Sequence, residues 1–299
     1  YVVSRSEHFE SDCGPCCVHT TPVVAKPLEF AMSANHLMES DVTRFHENGY
    51  VLCPGMFDAA EIAILQKAVA VDSGLIGGAI GLDDGAGGKS KLTIWYEPGD
   101  DTYGSFARVE RIVNGVEKLL DCEPYFYHSK VMLKEPRVGG AWSWHQDYGY
   151  WYKDGFLYPD MLSVLIAVDR ANKENGCLQV LRGSHKLGRI DHNFVGEQTG
   201  AEQQRLELAF AEFERVYCEM APGDVLFFHG NTLHGSDQNR SENPRFSLIS
   251  CYAASTNQPK GARRDFINTL PIDRLPDSAI KEFGVVTLRN DHTLQTAKA

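Results

Sequence analysis

Ala141-Trp-Ser-Trp-His-Gln-Asp-Tyr-Gly-Tyr-Trp151 is the stretch on which the reading of this chain turns. It carries His145 and Asp147 with a single residue between them. In extended backbone, side chains i and i+2 point to the same face, so an imidazole and a carboxylate are offered side by side to one ion. Two ligands do not hold a metal. The best third ligand is His234, in Asn231-Thr-Leu-His-Gly-Ser236, which follows the apolar run Asp224-Val-Leu-Phe-Phe228, a buried strand by its composition. Two histidines and one carboxylate with the opposite coordination positions open match the facial triad of non-haem Fe(II) oxygenases. Arg245 lies eleven residues beyond His234 and opens the strand-like run Phe246-Ser-Leu-Ile-Ser-Cys-Tyr252. Its guanidinium suits a two-point grip on the far carboxylate of a dicarboxylic co-substrate.

Each of these residues has an ordinary reading when taken alone. His145 would be a satisfied polar side chain, Asp147 a turn residue, His234 a strand end and Arg245 a surface ion pair. The conjunction carries the signal: H-x-D beside aromatics, a distant histidine after a buried strand, Gly-Ser after it, then the arginine. Three protein ligands on one face of Fe(II) leave three positions, two for a chelating 2-oxo acid and one for O2. Reduction of O2 is then coupled to decarboxylation of the oxo acid, while the protein orients the reactants and excludes water. His185, in a Gly-Ser-His turn, is the competing ligand but reads as structural, and His229 has the wrong parity to share the face of Phe228.

The totals agree with a soluble enzyme. The chain has 299 residues, 43% of them hydrophobic, enough for a full-sized core in one domain. A formal charge of -11 argues against nucleic acid or an anionic membrane as partner. No apolar run reaches membrane-spanning length, and the N-terminus lacks the layout of a secretory signal. The eight cysteines include Cys53, Cys122, Cys177, Cys218 and Cys251, scattered singly as small buried thiols. With an Fe(II) site, that pattern gives a reducing, cytoplasmic setting as the expectation.

Residues 1–35 read as a disordered extension. Cys13-Gly-Pro-Cys16, Cys17, His8 and His19 have redox or zinc spacing, but no strand precedes them and no amphipathic helix follows. Residues 36–299 read as one domain. A short helix near Glu39–His46, a strand at Gly49–Pro54 and a helix from a capping box at Asp58 to Val71 come first. Residues 73–90, rich in Gly and Asp, are expected to be loop, and Phe106–Leu120 a single helix. From about residue 124 the period becomes that of strands, with a helical insertion within 197–217. The fold class expected is mainly β with flanking helices.

Several of these pieces, in order, resemble the phytanoyl-CoA dioxygenase family of Fe(II)/2-oxoglutarate oxygenases, and within it the bacterial ectoine hydroxylases. They are Trp144-His-Gln-Asp147, Asn175-Gly-Cys-Leu-Gln-Val-Leu-Arg-Gly-Ser-His185, Gly223-Asp-Val-Leu-Phe-Phe228, Leu233-His-Gly-Ser236 and Arg245-Phe-Ser-Leu-Ile-Ser-Cys251. The resemblance implies a double-stranded β-helix, the cupin-like jelly roll. It also implies Fe(II) on His145, Asp147 and His234, with 2-oxoglutarate held by Arg245 and Ser236 and its pocket lined by Trp142 and Ser163. For the prime substrate it implies contacts at Trp151, Tyr150, Phe228 and His128. The subgroup's third cage aromatic falls at Ile249 and its substrate-binding glutamine at His128, so ectoine itself fits poorly and another small metabolite fits better. Because Asp147 is present, hydroxylation is favoured over halogenation.

Three alternatives stay open at this level. Lys134, Arg137, Arg182 and Lys186 could form a basic mouth for an acyl-CoA or lipid-like acid. A non-catalytic metal-binding cupin and a zinc hydrolase both leave Arg245 and Ser236 without a purpose. The sequence does not determine the oligomeric state.

Overall fold

Apolar residues on alternate positions of long strands, with helices supplied by the N-terminal third, build a molecule of two facing sheets and one helical layer. The computed structural model describes residues 36–261 and 267–288; the Cys13, Cys16 and Cys17 group and the expected extension fall outside them. The described residues belong to one unit, Met32–Ala299. In chain order the strands are β1 (Tyr50–Cys53), β2 (Ile80–Asp83), β3 (Lys89–Trp95), β4 (Pro124–Lys134), β5 (Trp142–His145), β6 (Met161–Ala167) and β7 (Leu178–Leu181). They continue with β8 (His192–Val195), β9 (Gln198–Ala201), β10 (Arg215–Tyr217), β11 (Val225–His229), β12 (His234–Ser236) and β13 (Arg245–Ala254). The main sheet has the order β1-β11-β6-β13-β4-β3-β2 and the smaller one β10-β7-β12-β5, with β8 and β9 as a separate hairpin. The named pairings are antiparallel, and the architecture is the expected jelly roll.

Both faces of the main sheet are covered, which explains why β6 is buried along its whole length and is apolar on both faces except at Ser163. Val131, Leu133, Leu162, Val164, Ile166, Phe227 and Leu248 face the helical layer. Their neighbours of opposite parity, among them Met132, Leu165, Phe228, Ile249 and Cys251, face the interior between the sheets. That second face is where the polar exceptions sit.

The helical layer begins with α1 (Glu39–Asn48) and α2 (Ala59–Val71). The capping box is as read: Asp58 accepts from the amides of Ala60 and Glu61, and Glu61 accepts from that of Asp58. Glu61 also forms a buried ion pair with Arg111, 2.8 Å long, and the same guanidinium donates to Met56 O.

Two expectations are corrected. Residues 73–90 are not one loop: they hold the short α3 (Ser73–Gly77), capped by Asp72, then β2 and the start of β3. The hairpin turn is confined to residues 84–88, where Asp84 Oδ1 accepts from the amides of Ala86 and Gly88, with positive φ at Gly85 and Gly87. Nor is Phe106–Leu120 a single helix. It is the end of α4 (Thr102–Arg108) and all of α5 (Glu110–Leu120), broken at Val109, whose backbone is extended. There Leu275 takes over the backbone bonding, donating to Arg108 O and accepting from Glu110 N. A tertiary contact 166 residues away, as far as Arg111 N to Asp277 Oδ1, outweighs local periodicity. Within 197–217 the helix is limited to Gln203–Glu212, between β9 and β10.

Candidate active site

His145 and His234 are direct partners across the β5–β12 ladder, so the two imidazoles meet because the strands pair in that register. Their ring centroids are 4.1 Å apart. Asp147 joins them from the next element. His145 and Gln146 are still extended, which keeps the i, i+2 parity, but Asp147 itself is the first residue of a short helix, Asp147–Trp151, rather than a strand residue. Gln146, wholly buried, points the other way. Its amide donates to Asn231 O and accepts from Ile190 N, fixing the strand end between two loops.

The donor set fits a divalent ion. The ligand atoms of His145, Asp147 and His234 lie within 4.8 Å of one another and all three residues are buried. Asp147 Oδ1 is 3.6 Å from His145 Nε2 and 3.8 Å from His234 Nε2. The Nδ1–H of His145 donates to Ser143 O at 2.7 Å, and that of His234 to Thr232 O at 2.9 Å. A carbonyl only accepts, so both Nε2 atoms carry lone pairs toward the common point. Burial, with His145 beside it, pushes His234 down to about 3, keeping it in the neutral form a metal requires. Burial alone would raise Asp147, but the charge of Lys130 and the two imidazoles hold it well below the usual carboxylate range. Asp147 Oδ2 accepts from Ser163 Oγ at 2.6 Å, a contact that orients the carboxylate.

From this point a partly open cavity runs to Arg245. His145, His234, Trp142, Phe228, Ser236, Arg245 and Lys130 all line it, with Met132, Leu165, Leu178 and Ile249 as its apolar wall. Arg245, 5% exposed, donates from Nε and Nη2 to Gly176 O. Burial lowers it to about 10, so it stays charged at neutral pH. Trp142 reaches the wall through an irregularity: His234 pairs with His145 but Ser236 pairs with Trp142, so two steps on β12 match three on β5.

The remaining expected residues are distributed differently. Ser163 sits under the metal carboxylate, bonded to Asp147 and in contact with Cys251 Sγ, and is not part of the cavity wall. Tyr150 packs its ring 5.1 Å from that of His145, and its hydroxyl donates to Thr199 O in the β8–β9 hairpin. Trp151 and His128 pack against each other, ring centroids 6.2 Å apart, outside the wall; both are buried. His128 Nδ1 has no hydrogen-bond partner. His185 donates or accepts at His46 O and is structural, as read.

The basic mouth does not form. Arg137 pairs with Glu242 and Arg182 with Glu214, both at the surface, while Lys134 is internal and donates to Ser236 Oγ. Sequence reasoning missed Lys130. It lies two residues after His128 on β4, and its position on the inward face follows from the strand parity that places Met132 there.

A jelly roll with two imidazoles and one carboxylate converging at the end of a guanidinium-anchored cavity defines a non-haem-metal dioxygenase of the 2-oxo-acid-dependent class. The chain belongs to the phytanoyl-CoA dioxygenase (PhyH) family, whose model matches residues 45–247. It is similar to the L-proline trans-4-hydroxylase of Streptomyces griseoviridis, with 27% identity over 58% of this chain and 74% of that one. It is also similar to the ectoine dioxygenase of Stutzerimonas stutzeri, 26% identical over 77% of this chain and 80% of the relative. The iron-bound EctD of S. alaskensis shares the fold with a TM-score of 0.63, at 23% identity, over 83% of this chain and 91% of that structure. Among the described residues no helix is long and apolar enough to cross a membrane.

Proposed function

We propose that this chain is an Fe(II)- and 2-oxoglutarate-dependent dioxygenase that hydroxylates an unactivated carbon of a small metabolite carrying an anionic group. The observation that carries the reading is a single cavity lined both by His145 and His234, whose ligand atoms converge with that of Asp147, and by Arg245. When bound there, iron supplies the chemistry that couples O2 reduction to decarboxylation of the oxo acid, forming succinate. The protein's residues do the rest. Ser163 and the carbonyls of Ser143 and Thr232 orient the three ligands. Arg245 and Ser236 are the residues for the far carboxylate of 2-oxoglutarate, and Trp142 and Phe228 wall its place beside the metal.

For the prime substrate, Lys130 supports a negatively charged group: its ammonium borders the cavity 3.8 Å from Asp147 Oδ1. Once a metal neutralises that carboxylate, the ammonium is left to attract another anion. Proline and ectoine, named for the two relatives, both carry carboxylates, in keeping with this reading. Tyr150, Trp151 and His128 then shape the cavity from behind rather than cap it. With Arg137 and Arg182 paired at the surface, a CoA thioester has no phosphate mouth, and Arg245 gives a passive metal cupin or zinc hydrolase no account.

The test is a screen of small amino and carboxylic acids beside their neutral amides for stimulated succinate release by the iron-loaded protein. Stimulation by at least one acid and not by its amide is expected. No 2-oxoglutarate turnover with any compound would defeat the oxygenase reading, and equal stimulation by acid and amide would defeat the anionic one.

A further inference from the structure

Between His145 and Asp147 the chain changes from strand to helix at Gln146, whose backbone is extended (φ -103°, ψ 132°). A residue in that place ordinarily steadies the change by accepting from the first helical amides with its own side chain. Gln146 does not. Its side chain goes to Ile190, Gly188 and Asn231 instead, so the capping bond is missing where one ligand gives way to the next. The bend is held from a distance. The buried main-chain amide of Gln146 donates to Nε2 of His192, the first residue of β8, at 2.9 Å. His192 can accept there because its Nδ1–H is committed to Ile190 O at 2.7 Å, and a carbonyl only accepts. Ile190 in turn donates its own amide to Gln146 Oε1, which closes a ring. Main chain and side chain of Gln146 are thus gripped by the same short segment.

The imidazole of His192, 5% exposed, stands against the first turn of the Asp147–Trp151 helix, where Gly149 makes room for it: a Cβ at that position would overlap the ring. Tyr150 packs its ring against both His192 and His145, with centroids 5.6 and 5.1 Å away. We propose that His192 is a positioning residue for the metal pair: by accepting from the Gln146 amide it fixes the backbone bend that brings Asp147 beside His145. This rests on His145 and Asp147 being metal ligands. A buried amide left without a partner turns toward another acceptor or toward water, and the residues on either side turn with it.

The experiment is calorimetry with Mn(II), together with the visible absorption of bound Co(II), on the full chain and its His192→Phe and His192→Gln variants. Phenylalanine keeps the ring's bulk without the acceptor, and glutamine offers an amide oxygen at the reach of Nε2. His192→Phe is expected to weaken Mn(II) binding by roughly tenfold or more, in the range for partners that orient metal ligands. It should also shift the Co(II) bands, which report ligand geometry rather than stability. His192→Gln should recover most of the affinity and the wild-type bands. Gly149→Ala forces the ring off the Gln146 amide, so it should weaken Mn(II) binding in the wild type and matter little once His192→Ala has removed the ring. Wild-type affinity and bands in His192→Phe overturn the proposal, whatever happens to its Tm. Equal losses in His192→Phe and His192→Gln overturn it too, marking His192 as a packing residue. If His192→Phe does not fold, Gly149→Ala decides, because unaltered Mn(II) affinity with the ring displaced leaves His192 nothing to position. A wild type that binds Mn(II) no better than Asp147→Ala is a separate result and removes the metal-site reading itself.

Discussion

Lys130 Nζ stands 3.8 Å from Asp147 Oδ1, the same carboxylate oxygen that faces both metal-ligating imidazoles. The lysine is mostly buried, and although burial would lower it, Asp147 more than compensates and holds it above the usual lysine range. A permanent cation beside a metal site is a repulsive arrangement unless an anion comes between them. Lys130→Met is therefore expected to raise the KM for the acidic prime substrate by roughly tenfold or more, the scale of a truncated buried charge pair. Prime-substrate-independent 2-oxoglutarate consumption, measured as succinate, should fall far less. If the KM for the acid is unchanged, the anion is bound elsewhere.

The metal centre predicts a graded pair of variants. Asp147→Ala removes a ligand and should abolish both Fe(II) binding and succinate production. Ser163→Ala removes only the hydrogen bond that aims Asp147, and should weaken metal affinity by about 10–100-fold. Thermal unfolding gives a second readout. At a metal concentration of about 100 times Kd, binding adds roughly 2.7 kcal/mol, so chelation should lower the Tm of wild type and leave that of Asp147→Ala in place. A chelator-sensitive Tm in Asp147→Ala would point to a different ion site.

Arg245→Ala should weaken 2-oxoglutarate binding by about 2–5 kcal/mol, read by calorimetry with Mn(II). Added guanidine or a short alkylguanidine is expected to recover part of the affinity. Affinity that stays put would place the anchor elsewhere.

Away from the site, Glu61→Ala leaves the Arg111 guanidinium buried with Met56 O and the half-exposed Asp277 as partners. The expected loss is about 3–5 kcal/mol of stability, measured by denaturant unfolding, since breaking a buried pair strands its partner. Glu61→Gln keeps the hydrogen-bond geometry and should lose less. Iron affinity in the folded protein should not move.

Much of this is legible in the amino-acid sequence. The H-x-D pair, His234 and Arg245 were readable because their spacing, beside aromatic and apolar runs, tells which way a side chain points in extended backbone. The helix break at Val109 was not, because its cause, Leu275, is remote in the chain and local spacing stays helical through it. The β2–β3 hairpin hid behind its glycines: composition marks the turn at 84–88 but says nothing about two short strands pairing on either side. Lys130 and Lys134 were hard for a different reason. A lysine in a strand reads as a surface residue. Only the covering of both faces of the main sheet makes an inward lysine a buried charge.

The skipped step in the ladder between β12 and β5 has a consequence for how this centre tolerates change. His145 and Trp142 are three positions apart, and regular alternation would send one of them outward. Shortening Ala141–Trp144 by one residue would straighten the strand and swing the indole into the hairpin side, while the histidine, nearer the helix that follows, kept its place. Such a chain would keep its ligand pair across the ladder and would have lost the indole that lines the cavity beside it. The ligand and the cavity's indole wall are thus encoded by separate parts of one short strand, and a lineage could lose the second without losing the first.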